Sequence, residues 1–385
     1  MSNERLDFYD FFAGGGMASL GLGSEWRCLM ANDICSKKAR AYRDNFPPAD
    51  EFILRDISNL TLADLPGKPV LAWASFPCQD LSLAGNRNGL YAKRSGTFWP
   101  FWRLMEAMAE DGRALPIIVL ENVAGTLTSN NGRDLQAILE AVVGADYRIG
   151  LLVMDAVHFL PQSRPRLFFI AVRLNQNIPP ELVQEDPSDL WHSKALRAAY
   201  ATLTEHQRTS WLWWKLPEPQ VERRNLEDLI EDNPVGVRWH SLSETQYLLN
   251  LMSETNLQKV KNAQAMGRQV IGTVYKRTRR NKGGENVQRA EVRFDQISGC
   301  LRTSVGGSSR QTILIVKGGE IRSRLLSTRE AARLMGVPES YNLPDNYNEA
   351  YHLMGDGLVV PVVCWLARHI LDPLALANRR LLEAA

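Results

Sequence analysis

The sequence predicts an α/β protein with a doubly wound, Rossmann-like parallel sheet and a smaller domain inserted into it. Over the first 173 residues, short apolar runs typical of buried parallel strands alternate with helical patterns. Several of these runs end in glycine or polar residues, as strands do at the ligand-binding edge of such a sheet. From Leu174 onward the alternation stops, and prolines, tryptophans and basic residues follow. We therefore expect a first domain at 1–173, an inserted domain at 174–320, and a segment at 321–385 that returns to the first domain.

Composition predicts a soluble, cytoplasmic protein. Of the 385 residues, 45% are hydrophobic and 23% are charged, as in ordinary globular proteins. We find no apolar run long enough to span a bilayer and no secretory leader, and we expect no membrane contact. The five cysteines are scattered and form no CxxC pair. This spacing predicts neither a disulfide framework nor a zinc site, and it fits a reducing compartment.

Positive charge is concentrated in the second half of the chain. The net charge is only +2, but Lys259–Arg329 contains sixteen basic and four acidic residues. Such a segment predicts one surface that faces a polyanion, the alternative being an ordinary solvated loop. We expect a flexible loop at 276–284 and a second polar, Gly/Ser-rich loop at 303–310. The candidate nucleic-acid contacts in or beside these loops are Lys276, Arg277, Arg279, Arg280, Arg302 and Thr303.

The first predicted strand runs from Leu6 to Phe12 and is followed by Ala13, three glycines (14–16) and a helical pattern. Strand, glycine turn and helix open a dinucleotide- or nucleoside-binding unit, because glycines let the backbone approach a ligand closely. A glycine turn by itself is weak evidence, since many helices begin this way.

Carboxylates follow the second and third predicted strands. The run 28–31 ends at Asn32 and Asp33, about twenty residues beyond the glycines, where an acid binds a ribose hydroxyl. Asp33 could instead cap the helix predicted at 36–45. After the third strand, 52–54, Asp56 is suited either to accept from an adenine amino group or to cap a turn.

The fourth and fifth strands deliver the candidate catalytic groups. The run 70–74 leads to Pro77 and Cys78, and a thiol at a strand end can be a nucleophile, although free cysteines are more often small buried apolar residues. The run 116–120 ends at Glu121, which places a carboxylate on the same edge of the sheet.

Two arginines and a C-terminal segment complete the pattern. Arg164 and Arg166, at i and i+2 before the run 167–172, are expected to point the same way, towards one anion or carbonyl. A capping box at 327–330 predicts a helix over 329–335. An apolar helix at 362–371 should pack against the first domain.

These motifs, in this order, resemble those of the DNA (cytosine-5) methyltransferases of bacterial restriction–modification systems. The resemblance covers 6–172 and 321–371. The matching segments are Asp10–Gly16, Asn32-Asp33, Asp56-Ile57, Pro77-Cys78-Gln79, Glu121-Asn122-Val123, Gln162–Arg166, Arg329-Glu330 with Met335-Gly336, and Gly355–Pro361.

The resemblance implies a cofactor, a set of catalytic residues and a mechanism. The cofactor is S-adenosyl-L-methionine, and the residues implied to contact it are Phe12, Ala13, Gly14, Gly16, Asp33, Asp56, Ile57 and Pro77. Cys78 would add to carbon 6 of cytosine, with Glu121 supplying a proton near ring nitrogen 3. Arg166 would bond the base carbonyl, and Arg164 would lie close to Cys78 or a phosphate.

The implied substrate is double-stranded DNA with the target cytosine flipped out of the helix. The loop 80–96 would close over the base, with Ser82 and Arg87 contacting DNA. A cognate restriction endonuclease acting separately is the implied partner, and a monomer is expected. The alternatives are a tRNA cytosine-5 methyltransferase, a catalytically silent DNA-binding homologue and a nicotinamide dehydrogenase. The roughly 145-residue basic insertion favours DNA over tRNA.

Overall fold

The chain forms two structural units. The structure is a computed structural model and describes residues 5–77, 97–220, 224–280, 283–302 and 309–384. The first unit comprises Met1–Asp155, Pro165–Gln220 and Val360–Ala385, and the second comprises Ala156–Arg164 and Val221–Val359.

Strands and helices alternate in the first unit and are grouped in the second. The strands are β1 (Leu6–Phe11), β2 (Trp26–Asp33), β3 (Phe52–Leu54), β4 (Leu71–Ala74), β5 (Ile117–Val123), β6 (Tyr147–Asp155), β7 (Pro165–Arg173), β8 (Val183–Gln184), β9 (Trp213–Trp214), β10 (Gln269–Arg280), β11 (Asn286–Arg293), β12 (Thr312–Lys317) and β13 (Glu320–Leu325). The helices are α1 (Met17–Leu22), α2 (Ser36–Asn45), α3 (Phe98–Glu110), α4 (Arg133–Gly144), α5 (Lys194–Ala201), α6 (Glu205–Thr209), α7 (Leu242–Asn250), α8 (Glu254–Ala265), α9 (Thr328–Leu334), α10 (Tyr347–Asp356), α11 (Val360–Leu366) and α12 (Asp372–Ala384).

A seven-stranded sheet forms the centre of the first unit. Its order is β3-β2-β1-β4-β5-β7-β6, with β7 antiparallel to both β5 and β6 and the pairs from β3 to β5 parallel. Strand β4 is apolar and fully buried, and β5 is apolar and buried over 117–120, as parallel strands covered on both faces must be. On one face the aromatic side of α3 packs against them, with Phe101 5.0 Å from Phe11 between ring centroids. The predicted α/β Rossmann-like class is confirmed.

The observed boundary between the units differs from the predicted one. Residues 165–220 belong to the first unit because their backbone pairs with β6, at the edge of the sheet: Ile149 N–H donates to Ser210 O, and Leu212 N–H donates to Ile149 O. The second unit extends to Val359, so the chain returns to the first unit at Val360 and not at 321. The predicted helix near 362–371 corresponds to α11 and a π-helical turn, Ala367–Leu371, both in the first unit.

An antiparallel sheet of order β11-β10-β12-β13 forms the centre of the second unit, and α7 and α8 contribute to the core on one of its faces. The prediction of a flexible loop at 276–284 was wrong over 276–280. These residues end β10, and their backbone pairs with 286–290 of β11. Their polar composition suggested a loop, but side chains of an extended hairpin need not be apolar where no helix covers them.

One stretch of the described residues, Tyr347–Asn378, is long and apolar enough to cross a membrane, judged by length and composition only. Over half of its most apolar window is buried, and α10 ends at Asp356 before α11 begins at Val360. These features are those of core helices.

Candidate active site

The turn after β1 is shaped by glycines. Gly16 has a φ of +80°, which disfavours any side chain, and a Cβ placed there would lie 2.3 Å from the ring of Phe46. The N–H of Gly14 points at the end of β2, where it donates to Asp33 Oδ2 over 3.0 Å. The turn therefore brings backbone against a carboxylate, as a nucleoside site requires.

Asp33 is held by backbone donors on both of its oxygens. Besides the bond from Gly14, Oδ1 accepts from the N–H of Cys35 over 2.8 Å. The N-cap of α2 is Cys35 and not Asp33, so the interpretation of Asp33 as the N-cap does not hold. Each carboxylate oxygen keeps a second acceptor position, as a ribose diol needs.

Ile34 is a candidate site residue that was not predicted from the sequence. It follows Asp33 directly and is 67% exposed, unlike the apolar residues of the strand before it. The pattern that could have revealed it is an isoleucine placed after, and not within, a buried strand that ends in an acid. An exposed aliphatic side chain at this position can cover one face of a planar ring.

Asp56 caps the short 3-10 turn Ile57–Asn59. Its Oδ1 accepts from both the N–H and the hydroxyl of Ser58, and these bonds hold the pKa of Asp56 below its usual range. The turn-capping interpretation is therefore confirmed, and the adenine contact stays a prediction. Ile57 is buried in the core, so a contact from this residue has to come from its backbone.

Asp10 is a buried acid on β1, two residues before the turn. It is 1% exposed, and no donor among the described residues reaches Oδ2. Burial, reinforced by the nearby Asp33 carboxylate, raises the pKa of Asp10 to about 8, although the neighbouring Ser19 hydroxyl opposes the shift. The carboxyl is therefore mostly protonated at neutral pH.

Glu121 and Arg166 form an ion pair across β5 and β7. Arg166 Nε lies 3.1 Å from Glu121 Oε1, and both side chains are mostly buried. Glu121 is opposite Phe168 in the antiparallel register, so Arg166, two positions away on β7, is its diagonal neighbour on the same face. An adjacent carboxylate and guanidinium can together bond the polar edge of a flat ring.

Asn122 links this pair to the end of β4. Its side chain is buried, and its Nδ2 donates to Phe76 O over 3.3 Å. Ala74 pairs with Leu120 in the parallel register, so the residues after β4 continue beside those at the end of β5. Pro77 is exposed at this edge. Cys78 follows it and lies outside the described residues.

The prediction that Arg164 and Arg166 share one target was wrong. Arg164 precedes β7, so strand alternation does not apply to it. Its side chain is 2% exposed, and its guanidinium donates to main-chain carbonyls of Leu301, Gly355 and Gly357. These contacts, all within the second unit, give Arg164 a structural role that joins three segments of that unit.

Sequence comparison identifies the family of this site. The family model described as C-5 cytosine-specific DNA methylase matches residues 6–372. The chain belongs to this family. It is therefore an enzyme of the DNA (cytosine-5) methyltransferase class, and the predicted resemblance is confirmed.

Named relatives agree with this assignment, and solved structures share the fold. The chain is 25% identical over 381 residues to the Type II methyltransferase M.MspI of Moraxella sp, covering 98% of this chain and 73% of that protein. It is 24% identical over 370 residues to the Type II methyltransferase M.HhaI of Haemophilus parahaemolyticus, covering 95% and 94%. In fold it is similar to a mutant form of DNMT2 from Spodoptera frugiperda (TM-score 0.61, 17% identity, 95% and 100% covered). It is also similar in fold to the Entamoeba histolytica methyltransferase EhMeth (TM-score 0.62, 13% identity, 96% and 99% covered).

Most of the predicted DNA contacts of this methyltransferase that have a described position lie on one strand, β10. Lys276 is partly buried and lines a pocket of about 600 Å³, together with His240, Tyr247 and Arg310. The remaining candidates with a described position are exposed, and they are Arg277, Arg279, Arg280 and Arg302. Ser82, Arg87 and Thr303, together with the loop 80–96, lie outside the described residues. All of these DNA contacts stay predictions.

Proposed function

We propose that this enzyme transfers a methyl group from S-adenosyl-L-methionine to carbon 5 of a cytosine flipped out of duplex DNA, through a transient covalent bond to Cys78. The observation that carries the proposal is the Glu121–Arg166 pair. It lies at the end of β5, where Asn122 bonds the carbonyl of Phe76, two residues before Cys78. Nucleophile, acid and base-carbonyl donor would then share one edge of the sheet.

The cofactor would be held by the first three strand ends. Asp33, oriented by two backbone N–H groups, would accept from the ribose hydroxyls, and Ile34 would cover the adenine ring. The glycine turn would let the backbone approach the amino-acid end, with Asp56 Oδ2 as the acceptor for the adenine amino group. When bound, S-adenosyl-L-methionine supplies a methyl group on a sulfonium centre.

The residues of the chain would prepare carbon 5 to accept that methyl group. The Cys78 thiolate adds to carbon 6, and the electron pair of the 5,6 double bond moves to carbon 5. Glu121 supplies a proton at ring nitrogen 3, and Arg166 donates to the base carbonyl, so that no full negative charge develops on the ring. After methylation, a solvent base takes the proton from carbon 5, the 5,6 double bond re-forms, the thiolate leaves and ring nitrogen 3 returns its proton to Glu121.

The target base must leave the duplex before these groups can reach it. The loop 80–96 is the proposed lid over the flipped cytosine. We further propose that the enzyme acts as a cytoplasmic monomer and that its methylation protects DNA from a separate cognate endonuclease.

A nucleophile test addresses the covalent step. Cys78→Ala should keep duplex binding and lose methyl transfer, whereas the matched variant Cys364→Ala, at an exposed cysteine, should transfer methyl groups at the wild-type rate. A duplex with 5-fluorocytosine in place of cytosine should trap wild-type protein covalently, because carbon 5 then has no proton to lose. Methyl transfer by Cys78→Ala at the wild-type rate would show that Cys78 is not the nucleophile.

An acid test addresses the ion pair. Glu121→Gln should lower the transfer rate about 10²–10⁴-fold, the range of general acid catalysis, with little change in cofactor affinity. Glu110→Gln, at an exposed carboxylate at the end of α3, is the matched control. Equal losses in rate and cofactor affinity would show that Glu121 is structural.

A further inference from the structure

One face of the β10–β11 hairpin carries four arginines and one glutamate. In the antiparallel register Arg277 is opposite Arg289, and Tyr275 is opposite Glu291. Side chains alternate along a strand, so Arg279 lies on the same face as Arg277. We call Arg277, Arg279, Arg289 and Glu291 the arginine face, which has two more positive than negative charges. The fourth arginine of this side of the hairpin, Arg293, is paired with Asp295.

Glu291 contacts two of these arginines at once. Its Oε1 accepts from both Nε and Nη2 of Arg279, over 2.8 and 2.5 Å, and its Oε2 lies 3.4 Å from Arg277 Nε. Arg279 thereby keeps its Nη1 edge directed away from the carboxylate. A guanidinium held through its Nε edge still has donors for a second, planar partner such as a base edge.

Folding alone does not account for this face. Two arginines directly opposite each other on neighbouring strands repel, which destabilises the hairpin. The arginine and glutamate side chains are 34–50% exposed in their ion pairs, and exposed pairs contribute little to stability. A concentration of positive charge that weakens its own hairpin indicates an anionic partner.

Tyr275, on the same side of the hairpin as the arginine face, also contacts the segment that bonds Arg164. Tyr275 donates its hydroxyl to Cys300 O over 2.6 Å. The adjacent Leu301 carbonyl accepts from Arg164, two residues before Arg166 in the chain. The opposite face of the sheet is covered by α7 and α8 over its apolar half.

We propose that Glu291 is a specificity-determining positioning residue for DNA. It holds Arg277 and Arg279 in place for contact with base edges, and it cancels one positive charge that would otherwise attract any phosphate backbone. This inference rests on the proposed function, because it assumes a duplex DNA substrate. Glu291 acts through the two arginines and does not itself bond DNA.

The expected effect follows from counterion release. Each additional phosphate neutralised on duplex DNA steepens the logarithmic salt dependence of binding by about 0.9. Glu291→Gln releases one net positive charge and should add about that much to the slope. At low salt, Glu291→Gln should bind non-target DNA more tightly than the wild type does. Between about 50 and 200 mM salt, its affinity should fall by a factor about 3- to 4-fold larger than that of the wild type. Discrimination between target and non-target duplexes should fall at least about fivefold, the low end for one bidentate base contact.

The experiment measures dissociation constants of the full chain for two duplexes over a salt series. One duplex carries the site identified by bisulfite sequencing of DNA from cells that express the protein, and the other has the same composition without the site. Glu320→Gln is the matched control, because Glu320 is an exposed carboxylate on β13, at the other edge of the same sheet. Glu291→Asp keeps the charge and should retain most of the discrimination.

Loss of discrimination and a steeper slope in Glu291→Gln, with Glu320→Gln and Glu291→Asp near wild type, is the result expected. The inference is wrong if Glu291→Gln and Glu320→Gln behave alike, or if Glu291→Gln weakens both duplexes equally. Methylation of the target duplex by wild-type protein is measured alongside, and it separates failure of the Glu291 inference from failure of the proposed function. An active wild type with unchanged discrimination in Glu291→Gln overturns the role of Glu291 alone, whereas a wild type that methylates no duplex overturns the proposed function as well.

Discussion

Replacement of Glu330 by glutamine should strongly destabilise the second unit. Glu330 and Arg324 form an ion pair in which both side chains are 0% exposed, with Arg324 Nη2 2.6 Å from Glu330 Oε1 and Nη1 2.8 Å from Oε2. Glu330 also accepts from the N–H groups of Ser327 and Glu231. The same carboxylate therefore neutralises a buried guanidinium and completes the capping box of α9.

The magnitude follows from what the substitution leaves behind. Glu330→Gln keeps the side-chain volume and removes the charge, so Arg324 stays buried without a counterion. Removal of one partner of a buried pair costs about 3–5 kcal/mol, because the remaining charge is not compensated. The double variant Arg324→Met with Glu330→Leu removes both charges and should recover most of this loss.

Hydrogen exchange of peptides covering α9 measures this effect locally. The opening free energy of 328–334 should fall by about 3–5 kcal/mol in Glu330→Gln and recover in the double variant. Glu244→Gln, which breaks the exposed pair with Arg238, is the control and should leave α9 unchanged. A loss below about 1 kcal/mol in Glu330→Gln, the size expected for an exposed pair, would refute the reasoning.

Three further predictions concern Asp10 and Gly16 in the first unit and Arg164 in the second. Asp10→Asn should remove a pH dependence. The pKa of Asp10 is about 8 when folded against 3.8 unfolded, so the folded state binds the extra proton and wild-type stability should fall by about 2–3 kcal/mol from about pH 5.5 to 7.5 in urea titrations. An asparagine variant with the same pH slope would contradict this. Gly16→Ala should weaken cofactor binding, measured by calorimetry, far more than the control Gly112→Ala. Both glycines have a positive φ, but only at Gly16 would the new Cβ lie 2.3 Å from the Phe46 ring. Similar losses of cofactor affinity in the two variants would mean that φ strain alone matters. Arg164→Lys should lower the urea midpoint by an amount equivalent to about 2–4 kcal/mol, since a lysine cannot bond three carbonyls in the geometry of a guanidinium, and an unchanged midpoint would oppose the structural role.

The parts of the site that sequence predicted are those encoded locally. Gly14 and Gly16 follow β1, and Asp33 ends β2 at the spacing of a nucleoside site, so chain order alone placed them together. The capping box from Ser327 to Glu330 was equally visible, because its partners are three residues apart.

The parts that sequence did not predict depend on contacts between distant residues. The motif around Arg164 predicts a catalytic arginine. Its acceptors, the carbonyls of Leu301, Gly355 and Gly357, are more than 130 residues away in the chain. The hairpin end at 276–280 looked like a loop because its side chains are polar, whereas its strand pairing comes from the backbone of β11. Residues 174–220 lack strand–helix alternation and still complete the first unit by pairing with β6.

The most direct test of the account is to incubate the full chain with isotope-labelled S-adenosyl-L-methionine and, in parallel, duplex DNA and total tRNA, and then to identify the labelled nucleoside by mass spectrometry. We predict label in 5-methyl-2′-deoxycytidine from the duplex with wild type and with Cys364→Ala, and none with Cys78→Ala. Label in tRNA cytosine with none in DNA, or in a DNA position other than carbon 5 of cytosine, would contradict it.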